Sequence, residues 1–166
     1  MSVHFYYNYK EDLVKQLKEH YSEDIKRTKE EKREQNQLND VEKYILNYFK
    51  DIKAEIAEVI DSSKGAIVID LENELSIVEF TIGENYLKLV RKEKSIEVIV
   101  GNYVEENDMT ESTVLGYIVP GEKKAITKKL GKIHDGSHFD ESTLSYYLRS
   151  AFGNVFNDQS NEKLDA

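Results

Sequence analysis

Apolar and polar residues alternate most regularly between Leu75 and Val100. Val78, Phe80 and Ile82 alternate with Glu79 and Thr81, the two-residue period of a half-buried strand. Gly83-Glu84 follows, and a glycine in first place suits a tight hairpin turn that needs positive φ. The chain returns through Tyr86 to Val90, turns again over the charged Arg91 to Lys94, and supplies a third strand over Ser95 to Val100. Turns this short force neighbouring strands to pair antiparallel. One face of this meander, carrying Val78, Phe80, Leu87, Leu89 and Val98, reads as a core face.

Ahead of the meander the period changes to that of helices. Leu13 or Val14, Leu17, Tyr21 and Ile25 draw an apolar stripe within a helix expected over residues 10–36, whose second half is almost solidly charged. A second helix is expected over residues 40–62, with Asn39 as its cap and Glu42 closing a capping box. Its stripe is Val41, Ile45, Tyr48, Phe49, Ile52, Ile56, Val59 and Ile60. The polar Gln35 to Asn39 reads as a short connection, which would fold the two helices into an antiparallel hairpin.

Strands are also expected at Ala66 to Leu71, at Val114 to Val119 with a bulge near Gly116, and at Glu122 to Leu130 after a Pro120-Gly121 type II turn. Gly101 to Ser112 reads as an acidic loop. The closing helix spans about 141–153, with Asp140 as N-cap, a staple between Phe139 and Leu144, and Gly153 at its end. Residues 157–166 read as a flexible tail. The expected fold is therefore a single α+β domain over residues 1–156. It combines an N-terminal helical hairpin, an antiparallel sheet of four to six strands and a C-terminal helix, with the helices on one face of the sheet.

Composition narrows the chemistry. The 166 residues include no cysteine, which removes disulfides, thiolate metal sites and cysteine nucleophiles. No apolar run approaches the ~20 residues of a membrane span. The first ten residues lack the basic-then-apolar order of a secretory signal, so a cytoplasmic location is expected. A net charge of −9 disfavours general affinity for nucleic acid and suits solubility or a basic partner.

Three sets of residues are candidates for a site. The sheet's second face is half apolar, and Ile77, Tyr86, Val90, Ile99, Tyr117 and Val119 are expected to form a self- or partner-binding surface. Lys123, Lys124, Lys128 and Lys129, with Lys132 beyond, form a basic cluster. It reads first as protection of a sheet edge and second as a phosphate or nucleic-acid contact. His134, Asp135 and His138 supply nitrogen and oxygen donors of a kind that binds zinc, manganese or iron, although no known ligand spacing is met. Glu105, Glu106, Asp108 and Glu111 lack the spacing of a calcium loop, and no phosphate-binding glycine loop is present.

The layout carried by Leu75 to Val100 and Phe139 to Phe152 resembles small uncharacterised proteins of Bacillus and its phages, a resemblance of length, composition and order that transfers no catalytic residue. The function expected is a non-enzymatic protein-interaction module of immunity, antitoxin or defence-inhibitor type. The eleven tyrosines suit such interfaces. The alternatives are a small metal-dependent hydrolase using His134, Asp135 and His138, and a nucleotide or nucleic-acid binder using the lysine cluster. No cofactor is implied, and no small-molecule ligand is specified.

Overall fold

The computed structural model describes residues 9–104, 109–129 and 136–165, with the side chains of 103, 104, 109, 110, 129 and 157–165 left aside. Three helices come first: α1 (Tyr9–His20), α2 (Ser22–Glu55) and α3 (Ala57–Ser62). They follow one another as a nearly unbroken rod. At the Tyr21 junction the i→i−4 ladder persists, with Tyr21 N–H donating to the Leu17 carbonyl at 3.0 Å and Ile25 N–H to that of Tyr21 at 2.8 Å. The same ladder crosses Ile56 at 3.0 and 2.9 Å.

The expected hairpin is therefore corrected to a single rod, because Gln35 to Asn39 lies inside α2. The stretch from Tyr9 to Lys64 contains neither glycine nor proline, so nothing in its backbone chemistry compels a turn. Its polar side chains serve a different purpose. Gln37 holds the peptide groups at Gly121 from both sides: Nε2 donates to the Gly121 carbonyl at 3.1 Å, and Oε1 accepts from the Gly121 N–H at 3.0 Å. Arg33 donates to the Gly121 and Glu122 carbonyls at 2.8 and 3.1 Å. Gln35 donates to the Glu93 carbonyl at 2.6 Å and accepts from Arg91 at 2.7 Å. The supposed connection is thus a polar clamp on two turns of the sheet.

Six antiparallel strands follow in sequential order: β1 (Ile67–Leu71), β2 (Val78–Ile82), β3 (Asn85–Arg91), β4 (Ile96–Val104), β5 (Met109–Val119) and β6 (Ile126–Lys129). The Gly83 turn has φ of +61°, as the hairpin required. Gly121 does not take positive φ, so the expected type II turn is absent. Glycine is needed there because a Cβ would sit 2.0 Å from the Lys124 carbonyl oxygen. The ladder between β4 and β5 shifts register beside Val98 and Gly116, where a bulge was expected. Both of these strands run further than the sequence suggested, and Glu111 belongs to β5 rather than to a loop.

The core lies between one sheet face and the helices. Leu38, Val41, Ile45 and Phe49 of α2 are buried, at the spacing of one helix face, against Val78, Phe80, Leu87, Leu89 and Val98. Phe80 touches the rings of both Phe49 and Phe152, so α2 and the last helix, α4 (Glu141–Asp165), cover the same face. Val59 is exposed, because the irregular turn at Ile56 (φ −106°) rotates the last turns away from the stripe.

The N-cap of α4 is as expected, with Thr143 N–H donating to Asp140 Oδ1 at 3.2 Å and Asp140 N–H to Thr143 Oγ1 at 3.1 Å. Its end is not. The helix passes through Gly153 and reaches Asp165, across most of the stretch expected to be a tail.

Two stability outcomes follow. Phe49→Ala should cost about 3–5 kcal/mol in urea unfolding through loss of packing, and Gln37→Ala about 1–2 kcal/mol through its two half-buried bonds. Gly153→Ala should stabilise α4 by roughly 0.5–1 kcal/mol, because a Cβ there meets only the flexible Arg149 side chain, at 3.3 Å.

Candidate functional site

The expected sheet-face surface is divided by the structure. Ile77 is buried in the core cluster, not on the second face. Its N–H donates to the Leu89 carbonyl at 2.8 Å while Val78 is the ladder partner of Leu89. Two residues thus oppose one, a bulge that turns both side chains inward. Tyr86 is buried as well. Its ring lies across Gly101, its cross-strand partner, where an added Cβ would come within 2.5 Å of the phenol. Val90, Ile99, Tyr117 and Val119 are half-buried on the second face, among Glu79, Lys88 and Glu97. Glu79 and Lys88 face each other there at 3.8 Å.

The lysines do not converge. Lys128 is the partner of Tyr117 and Lys129 that of Gly116, so the strand's alternation sends them to opposite faces. Lys123 and Lys124 stand apart in the bend before β6, both exposed. The outer edge of β6 is occupied by residues 136–139, with Thr127 N–H donating to the Ser137 carbonyl at 2.7 Å and Phe139 N–H to that of Ala125 at 2.9 Å. His138 is exposed within this edge segment and bridges Ile126. His134, Asp135 and Lys132, with Glu105, Glu106 and Asp108, lie outside the described residues. Among the described residues no group of three His, Asp or Glu side chains could hold a metal ion.

Two features do emerge from residues distant in sequence. The first is a groove of about 380 Å³ between α2, the bend before β6 and the start of α4. Its floor is apolar, with Val41, Tyr44, Ala125 and Phe139, and the Tyr44 and Phe139 rings meet edge-on at 5.7 Å. One lip carries Lys123 and Lys124; another carries Asp40, Asp140 and Glu141. Desolvation, helped by the carboxylates of Glu141 and Asp140, raises the Tyr44 hydroxyl above its ordinary pKa and keeps it neutral. Asp140 is shifted the other way, mainly by the Ser142 hydroxyl, with the backbone N–H groups of Thr143 and Ser142 assisting against desolvation.

The second feature is the rod's N-terminal end. α1 has no buried residue, and the first fully buried position along the rod is Leu38. Leu13, Val14, Leu17, Tyr21 and Ile25 are 40–49 % exposed, so the stripe that the hairpin would have covered is bare. Exposed ion pairs at i,i+3 spacing, Arg27 with Asp24 and Arg33 with Glu30, both at 2.6 Å, support the helix where it leaves the sheet.

The chain matches no protein-family model, no curated protein and no solved structure. No described helix is long and apolar enough to cross a membrane. The stripe was legible as helical periodicity. That it is bare depends on α2 running straight through residues 35–39. The groove had only the Phe139 staple position as a sequence signal.

The Asp140 cap has a pH signature. Its folded pKa is depressed, so its stabilisation is present above the unfolded value of ~3.9 and is lost as pH falls through the folded value. Asp140→Ala should cost about 1 kcal/mol at neutral pH. Thermal melts should show the gap to the parent protein closing below about pH 4.

Proposed function

We propose that this chain is a non-enzymatic protein-interaction module that engages a protein partner through its N-terminal helical arm. The observation that carries this reading is the uncovered stripe of Leu13, Val14, Leu17, Tyr21 and Ile25, on a helix anchored to the domain only from about Arg33 onward. A bare apolar stripe of this size is a liability for an isolated domain, and docking on a partner relieves it. The arm acts as a helix laid into an apolar groove, with anchors at successive i+4 positions and Tyr21 at their centre. The domain holds the arm rigidly, so little ordering entropy opposes association.

Charge separates the arm from the rest of the molecule. From Tyr9 to Glu34 there are eight Lys and Arg against eight Asp and Glu, so the net −9 belongs to the remainder of the chain. The arm therefore binds through apolar contact, while the acidic remainder favours a basic partner by long-range attraction. Both properties fit a protein that blocks another by surface complementarity, as an immunity protein, antitoxin or defence inhibitor does.

The test is capture of the host partner, followed by affinity measurement with the paired substitutions Leu17→Glu and Tyr21→Glu. The arm variant should keep the parent's melting temperature and lose at least about tenfold in affinity, roughly 1.4 kcal/mol. A partner that binds parent and variant equally tightly would place the interface elsewhere.

A further inference from the structure

At one end of the sheet the core face turns polar across three strands. Asn85, Asn102 and Glu111 are successive cross-strand partners on β3, β4 and β5, on the face that elsewhere buries Leu87, Leu89 and Val98. α4 runs over this row and presents Ser150 and Asn154 to it. Between helix and sheet lies a cavity of about 410 Å³, floored by Val100, Ala151 and Val155. Core packing would fill such a space with apolar side chains; here it is lined with amides, a hydroxyl and a carboxylate.

We propose that this cleft binds a neutral, hydroxyl-rich small molecule through a vicinal diol, as presented by a saccharide ring or by the ribose of a nucleoside. Among the described residues, no hydrogen bond engages the side chains of Asn85, Asn102, Glu111 or Asn154, so their donors and acceptors face the cavity unmatched. An amide offers a donor and an acceptor together, the pattern that two adjacent hydroxyls complete. Glu111 adds a strong charge-assisted acceptor for a hydroxyl proton and, with the acidic surface, turns anions away. The valine and alanine floor suits the C–H face of a ring. The volume lies within the range of small-molecule sites. The opening is formed by α4 residues beyond those that pack the core, so occupancy leaves the fold unchanged.

The experiment is amide-resolved NMR titration of the intact chain with glucose, N-acetylglucosamine, maltose and adenosine in turn, and with inorganic phosphate as the anionic comparison. Saturable shifts are expected at Gly101, Asn102, Ser150 and Asn154 with at least one of the neutral probes. Response to the sugars alone assigns a saccharide, and response to adenosine alone assigns a ribose. Asn102→Ala and Glu111→Ala should each weaken binding by about tenfold, equivalent to one or two hydrogen bonds, while Arg149→Ala leaves it unchanged. No saturable shift from any neutral probe, a preference for phosphate, or shifts centred outside the cleft would overturn the assignment. Because the mapping is made on the parent protein, a variant that fails to fold does not remove the test.

Discussion

The fold depends on one length of helix meeting the sheet in two chemically different ways. From Leu38 to Phe49, α2 buries a narrow apolar face on the meander. One turn earlier, Arg33, Gln35 and Gln37 hold the backbone of the turns near Gly121 and Glu93. The apolar contact supplies most of the stabilisation, since it removes several large side chains from water. The polar contact supplies direction. Hydrogen bonds to fixed carbonyls at the sheet's end allow one rotation and one register of the helix, which apolar packing alone would permit to slide.

That constraint sets the rest of the molecule. Because α2 is held along the sheet, its N-terminal extension leaves the domain as a straight arm, with its apolar stripe uncovered. Because α2 and α4 share Phe80, both helices crowd one face, and the groove floored by Tyr44 and Phe139 lies in the angle between them. Further along α4 the core face of the sheet gives out at Asn85, Asn102 and Glu111 before the helix does, which leaves the polar cleft. The second sheet face is quieter than its sequence suggests. Ile77 is turned inward by a bulge and Tyr86 lies over Gly101, so two of its apolar side chains are already covered within the chain.

The meander, its hairpin glycine, the α+β class and the Asp140 cap were legible in the sequence because each rests on local chemistry: a two-residue period, a residue that tolerates positive φ, and a side chain that accepts from the first turn of a helix. The failures were also local signals, outweighed by contacts at long range. Gln35 to Asn39 resembled a connection because polar runs between apolar stripes often are one. It is helical because its side chains bind backbone more than 50 residues away. Gly153 resembled a terminus, yet the helix continues through it, since a single glycine costs a helix only ~1 kcal/mol.

By itself, then, the sequence determined which segments are strands or helices and which face of each is apolar, because periodicity and capping are properties of neighbouring residues. Tertiary structure alone decided which of those apolar faces are covered. The stripe from Leu13 to Ile25 and the stripe from Val41 to Phe49 look alike as patterns. One is a core and the other a bare arm, because the sheet is long enough to cover only the second, and the clamp at Gly121 fixes where that cover begins.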